Sequence, residues 1–442
     1  MQKCLFLTGI VGLVAACLLV VVLYNVPFVH ERLAWRVENL QTRLRHALNP
    51  PEQVVFIPQQ NDQATMEAIV QATVQAALIN PSATLAQPTL TLTLPGPTPT
   101  PQPTATITPT TTPLPGEVAL TGYRHEWQQM NNCGPATLAM GLSFWGWEGD
   151  QTDTRAVLRP NFRTVDDKNV NPQEMVDYVE AQSGLGALAR IGGDIEMLKR
   201  LLAADYPVLI EKGLQHSPKD WMGHYVLVTG YNEARQQFIT QDSYTGPGEN
   251  ALVPYAELSE RWWRDFNYVY VVIFPSERES DVSGILGVHA DEEENARLAA
   301  EKAEGETSQL SGRNLYFAWY NLGSSKARLG DYAGAALAYD QAFAIYPSIP
   351  EDDRPWRMLW YQVGPYEAYY HSGRYQDVLN LANQTLFTLG NPILEESLYW
   401  QGRAQEALGQ NEQAVSSYRQ AVAINPDSTP ALAELQRLGL TP

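Results

Sequence analysis

The sequence predicts an α+β domain in the middle of the chain, an all-α domain of paired helices at its end, and a transmembrane helix at its start. Three observations carry this. Between residues 118 and 275, helical patterns come first and β-rich runs second. From 313 to 442, small and aromatic residues recur at the spacing of a two-helix repeat. Between Cys4 and Val29, no charged residue interrupts an apolar run. The chain therefore divides into an anchor (1–29), a juxtamembrane helical spacer (30–80), a Thr/Pro-rich linker (81–117), the α+β domain (118–275), a charged connector (276–312) and the helical repeats (313–442).

The N-terminal run CLFLTGIVGLVAACLLVVVLYNV is long enough to span a bilayer, which takes about 20 apolar residues. Val14-Ala15-Ala16-Cys17 has the small-residue pattern of a lipoprotein signal. The apolar run continues through Leu18 to Leu23, however, where a cleavage site would end it, and this favours an uncleaved single-pass anchor. Lys3 precedes the run, while Arg32, Arg36, Arg43 and Arg45 follow it, and a count of positive flanks would leave the bulk of the chain in the cytoplasm. The spacer reads as two helices broken at Asn49-Pro50-Pro51. The following stretch, including PGPTPTPQPTATITPTTTPLP, cannot bury a core and forms an extended, semi-rigid linker. Such compositions resemble stalks that hold domains off an outer cell surface, which weighs towards an extracytoplasmic body.

With 30 Lys and Arg against 49 Asp and Glu, the net charge of −19 argues against a nucleic-acid partner. Cys133 is the one cysteine of three outside the apolar segment, so the rest of the chain can form neither an intrachain disulfide nor a Cys-rich metal site. It lies in QQMNNCGPATLAMGL, residues 128–142, at the start of a helix. A helix N-terminus favours the thiolate, through its unpaired N–H groups and dipole. Pro135 suits a first turn and Gly134 leaves room for a carbonyl to approach. Further helices are expected over 151–158, 172–183 (capped by Asn171) and 194–204, and strands over 206–211, 224–231, 237–242 and 266–274.

A nucleophile needs a base, and the base an orienting group. His224 opens the strand GHYVLVTGY and Asp242 closes the next. A three-residue loop, Asn232-Glu233-Ala234, would set His224 directly opposite Asp242 on one face. A side-chain amide for the oxyanion could come from Gln128 or Gln129.

Together, HEWQQMNNCGPATLAM, GHYVLVTGY and QDSYTG resemble the papain-like cysteine peptidase family thirty-nine, the bacteriocin-processing peptidases, over residues 120–275. The likeness is to their stand-alone C39-like domains. It implies Cys133 as nucleophile, His224 as base, Asp242 as orienter and Gln128 as oxyanion donor, with no cofactor. In transporter-fused members the Gln stands one residue further from the Cys. This sequence also shows no transporter membrane domain and no ATP-binding loop, so peptide export is not implied.

In the C-terminal third, Trp319, Leu322, Gly323, Tyr332, Ala335, Tyr339, Ala342 and Pro347 form one register. Leu398, Gly402, Ala414, Tyr418, Ala421 and Pro426 form another. Gly330-Asp331-Tyr332 recurs as Gly373-Arg374-Tyr375 and Gly409-Gln410-Asn411. This resembles tetratricopeptide repeats with a degenerate middle copy, an insertion around 348–357 and a capping helix over 430–438.

The segment 291–306 reads as a solvated helix or connector. His125 and His216 read as loop residues, the pair Asp166-Asp167 as a solvated turn, and Trp145, Trp147, Trp262 and Trp263 as core or cleft wall. Gly246-Pro247-Gly248 lacks the surroundings of a phosphate loop, and no metal or nucleotide is indicated. The sequence thus points to a membrane-anchored thiol peptidase acting on a peptide or protein, with repeats that engage a protein partner. The rivals are a tethered adaptor that binds without cutting and an acyl or amide transferase using the same triad.

Overall fold

A computed structural model describes residues 113–160, 169–215, 218–388 and 394–441, with Val22, Tyr24, Val26, Val37, Leu40 and residues 56–58. Apart from those isolated positions, the predicted transmembrane segment with its Cys17 signal, the juxtamembrane helices and nearly all of the Thr/Pro linker lie outside the described residues. Among the described residues, no helix is long and apolar enough to cross a membrane. The described residues 56–58 and 116–441 belong to one compact unit.

This unit has an α+β part and a helical part. Its α+β part carries helices α1 (Cys133–Phe144), α2 (Gln151–Leu158), α3 (Pro172–Gln182) and α4 (Ile195–Ala203). The strands are β1 (Glu117–Ala119), β2 (Leu185–Arg190), β3 (Val208–Gln215), β4 (Trp221–Asn232), β5 (Gln237–Asp242), β6 (Ala251–Pro254) and β7 (Tyr270–Pro275). They form one antiparallel sheet in the order β2-β7-β3-β4-β5-β6, with β1 also beside β4.

Both faces of this sheet are covered. Leu209, Leu227, Val271 and Ile273 pack under α1 and α3 through Leu138, Leu142, Met175 and Val179. Ile210, Val226, Val228 and Val272 face Leu198, Leu201 and Leu202 of α4. A strand buried on both faces reads as a continuous apolar run, as YPVLIE and HYVLVTGY do. Asn171 caps α3 by accepting from the Glu174 N–H at 3.0 Å, while the Glu174 carboxylate accepts from the Asn171 N–H at 2.9 Å.

Three short strands lie outside the expected set. β1, β2 (LGALAR) and β6 (ALVP) are brief and poor in β-branched residues, so only their pairing partners define them. The expected strand 266–274 begins late, because a tight turn over Arg264–Phe266 leads into Asn267 and Tyr268 with positive φ.

The β4–β5 register also differs from the count. Asp242 lies opposite Val226, not His224. The connection is a turn over Glu233–Arg235 closed by Gln236 in the left-handed region, so Asn232 pairs with Gln237. This longer loop alone shifts the register by an odd number of residues, which would put the pair on opposite faces. A bulge between Val228 and Gly230 takes one residue back. The net shift is even, and His224 returns to the face of Asp242 on the diagonal.

The helical part contains α5 (Glu279–Leu286), α6 (Glu292–Thr307) and the pairs α7/α8 (Gly312–Arg328, Tyr332–Ile345), α9/α10 (Gly364–His371, Tyr375–Thr388) and α11/α12 (Glu395–Ala407, Asn411–Ile424), ending in α13 (Thr429–Arg437). A Cβ at Gly323 would come within 2.8 Å of the Tyr339 ring, and one at Gly402 within 2.5 Å of Tyr418. These matched positions let the two helices of a repeat cross closely, as the repeat register requires.

α6, expected as a solvated connector, is only half so. Ala296, Ala299 and Ala303 are buried, the Asn295 amide donates to Ile191 O at 2.8 Å, and Lys302 donates to Gly193 O at 2.7 Å.

The insertion after α8 is a clamp between the two parts. Arg357 donates to Asp220 and to Trp221 O at 3.0 Å, and Trp356 Nε1 donates to Lys219 O at 2.8 Å. Beside it, fully buried Asp265 accepts from the two terminal guanidinium nitrogens of Arg313, Nη1 and Nη2, and from Trp221 Nε1 at 2.9 Å. The repeats are thus fastened to the sheet domain by buried, charge-assisted bonds.

Candidate active site

The loop entering α1 passes through Asn131, which takes a positive φ of 49° that Asn tolerates. Asn132 precedes the helix but does not cap it; its side chain donates to Gln151 Oε1 at 2.9 Å and accepts from Arg159 at 3.3 Å. The first turn contains no acidic residue either. Cys133 therefore sits on an uncapped helix N-terminus, an arrangement that favours its thiolate.

His224 and Asp242 are both buried, and His224 Nε2 donates to Asp242 Oδ1 at 2.8 Å. Since Nε2 serves Asp242, Nδ1 is the ring nitrogen left for the hydrogen bond between His224 and Cys133. Asp242 is itself held in place. Its Oδ1 accepts from the Tyr244 and Thr245 N–H groups at 2.9 and 2.8 Å, and its Oδ2 from the Thr245 hydroxyl at 2.6 Å.

The electrostatics follow from this chain of contacts. Burial alone would push His224 down, but the Asp242 carboxylate and the Cys133 sulfur overcome it and raise the imidazole to about 9. Burial would push the Cys133 thiol up, yet bonds from His224 and from the Tyr225 backbone, with Arg159 nearby, hold it below its ordinary value. Burial would likewise raise Asp242, and His224 and Lys212 hold it low. The site favours a thiolate–imidazolium pair.

The choice between the two glutamines also falls out of the contacts. Gln128 is buried, donates its N–H to Ser243 O at 2.9 Å and accepts the Ser243 hydroxyl on Oε1 at 3.0 Å. With Oε1 occupied, its amide NH2 is the end left to donate. Gln129 instead turns its Oε1 to Arg155. The structure thus brings together Cys133, His224 and Asp242, and fixes Gln128 beside Ser243, which directly follows Asp242.

Residues 121–271, which contain all four of these residues, match the Peptidase_C39 like family. This stretch is a C39-like domain. Tetratricopeptide repeat families match residues 316–349 and 396–428. Among solved structures, a chain titled as a C39-like peptidase from Bacillus anthracis aligns with 16% identity and a TM-score of 0.30, covering 36% of this chain and 96% of its own. No curated protein matches the sequence.

Around this site, the C39-like domain uses polar residues that carry no motif in the sequence. Gln151 ties the entry loop to α2, donating to Trp127 O at 2.8 Å and accepting from the Gln129 N–H at 2.7 Å. Arg159, which donates to Met130 O at 3.0 Å, brings positive charge near the thiol. Glu211 lies buried with its carboxylate accepting from Tyr225 OH at 2.9 Å, and burial raises it well above the usual range. Only tertiary packing places these groups, so spacing along the chain gives no signal for them.

Among the described residues, the remaining sequence candidates are held by packing and local hydrogen bonds. His125 packs edge-on against Trp127 at 5.1 Å, and burial lowers its pKa. Trp263 is fully buried and donates to Val269 O at 2.7 Å, while Trp145 and Trp147 pack against core clusters. Trp262 is partly buried under the Arg261 guanidinium. Gly248 O accepts the Asp242 N–H at 2.9 Å, so the Gly246-Pro247-Gly248 loop closes over Asp242. His216 and the pair Asp166-Asp167 lie outside the described residues.

Proposed function

We propose that this chain is a membrane-anchored cysteine peptidase whose tetratricopeptide repeats engage a protein partner or present a substrate. One observation carries the catalytic reading: a buried imidazole lies between a thiol on a helix N-terminus and a carboxylate that accepts four hydrogen bonds. That is the order a nucleophile, base and orienter require.

In the proposed cycle the Cys133 thiolate attacks the scissile carbonyl carbon and forms a C–S bond. The oxyanion is met by the Gln128 side-chain amide and the Cys133 N–H. The His224 imidazolium gives its proton to the leaving amine as the C–N bond breaks, leaving a thioester. A water then loses a proton to His224 and attacks the thioester, and the acid product leaves as the thiolate returns. The chemistry needs no metal. Anchoring rests on the charge-free run between Cys4 and Val29, and the extracytoplasmic side on the Thr/Pro stalk.

The direct test is labelling by a peptide carrying a thiol-directed electrophile. The wild-type chain is expected to be modified at Cys133 and the Cys133→Ala chain not at all at that peptide. Undiminished modification of the Ala variant would place the nucleophile elsewhere. Tags on either side of residues 4–29, probed by protease on intact cells, test the orientation.

A further inference from the structure

Phe56 belongs to the segment before the Thr/Pro linker, yet it is buried inside the repeat domain. It is 6% exposed while its neighbour Ile57 is 75% exposed, so a single side chain inserts and its neighbour stays outside. Its ring meets Phe343 edge-on at 5.0 Å and lies 6.2 Å from Tyr369. Tyr316, Tyr346, Met358, Trp360 and Leu381 complete the pocket, with about 60 Å³ of space left beside the ring. The pocket is a composite. Phe343 and Tyr316 come from the first repeat and Leu381 from the middle one, while Met358 and Trp360 lie in the short helix Met358–Tyr361 that directly follows the insertion clamping the C39-like domain.

An apolar side chain from a segment remote in sequence, seated in an aromatic pocket, is how a repeat scaffold holds an extended peptide by an anchor residue. We propose that this pocket is a peptide-binding site whose resident ligand is the chain's own Phe56 segment, and that an outside peptide with an aromatic anchor enters only by displacing it. The resident is covalently attached, so its effective concentration at the pocket is high and sets the threshold a competitor must exceed. The space beside the ring would accept an anchor bulkier than Phe. This deepens the partner reading of the repeats and is independent of whether Cys133 is a nucleophile.

The test uses the full-length chain in mild detergent and a fluorescent synthetic peptide spanning residues 52–62, read by anisotropy. Phe56→Ala should empty the pocket, and the peptide should bind that chain at least ~10-fold tighter than it binds wild type. The same peptide with Ala in place of Phe56 should bind neither. Phe56→Asp supplies a second emptied chain, and an unchanged helical circular-dichroism spectrum with one cooperative melting transition in both variants, at a temperature lowered by loss of the resident ring, shows that the repeats remain folded. Equal affinity for wild type and variants, or binding to none, overturns the proposal. Because binding is read directly, the measurement stands whatever the outcome of the Cys133 labelling.

Discussion

Replacing His224 with Ala is expected to lower kcat/KM by about 10³-fold or more, while the chain stays folded. Two functions are lost together. The thiolate loses the imidazolium that stabilises it, and the leaving amine and attacking water lose their proton carrier. Asp242→Asn separates charge from geometry. The Asp242 Oδ1 position, which accepts from His224, Tyr244 and Thr245, can be kept by an amide oxygen, and the new NH2 can donate to the Thr245 hydroxyl that meets Oδ2. The fold should therefore persist. What disappears is the negative charge that raises His224 to about 9. We expect kcat/KM to fall by about 10²-fold, with its alkaline limb moving to lower pH, because the imidazolium then deprotonates earlier. Steady-state kinetics across pH on the three chains check both statements. An alkaline limb unmoved in Asp242→Asn would mean that Asp242 does not set the charge of His224.

The second large effect concerns how the repeats are held. Arg313→Met should destabilise the chain by about 3–5 kcal/mol, because it leaves Asp265, fully buried, without its cationic partner. Met keeps much of the apolar stem but removes the guanidinium, which also lies over the Phe317 ring at 4.6 Å, so the loss reports on the charge and on that stacking together. The pH dependence has a definite sign. Burial already raises the Asp265 carboxyl in the intact chain, ahead of the opposing pull of Arg313. Removing Arg313 raises it further, and a carboxyl raised on folding destabilises when ionised. The deficit should therefore shrink as pH falls through that raised value and grow as pH rises through it. Urea unfolding followed by Trp fluorescence measures this, and Asp265→Asn in the Arg313→Met background should recover part of the loss. A loss under about 1 kcal/mol would show that the pair adds nothing to docking.

How much of this is legible in the sequence depends on the range of the interaction. The Cys133 helix, the Asn171 cap and the paired glycines of the repeats are set by neighbours within a turn or a repeat, and all are readable. The His224–Asp242 partnership is readable from strand parity, but the hairpin count places the two directly opposite. The left-handed Gln236 in the turn carries no glycine to mark it, and Gly230 beside the bulge is the one hint, since a glycine inside a strand often marks a bulge. The two departures sum to an even shift, which preserves the pair. The clamp is not readable. Arg357 and Asp220, or Arg313 and Asp265, are ordinary charges in sequence, and only the packing of the insertion and the first repeat against the sheet domain makes them buried partners. Likewise Arg159 and Gln151 look like surface residues until α2 folds over the entry loop.

The central claim is that Cys133 is a thiolate paired with the His224 imidazolium. Its most direct measurement is the pH dependence of Cys133 alkylation by iodoacetamide, read by mass spectrometry of the peptide containing that residue, in wild type and His224→Ala. Wild-type Cys133 is expected to be reactive already well below the ordinary thiol pKa of about 8.5, with a second change near about 9 as His224 deprotonates. In His224→Ala both features should vanish and reactivity should rise at higher pH. A single transition at or above about 8.5 in both chains would contradict the thiolate–imidazolium pair.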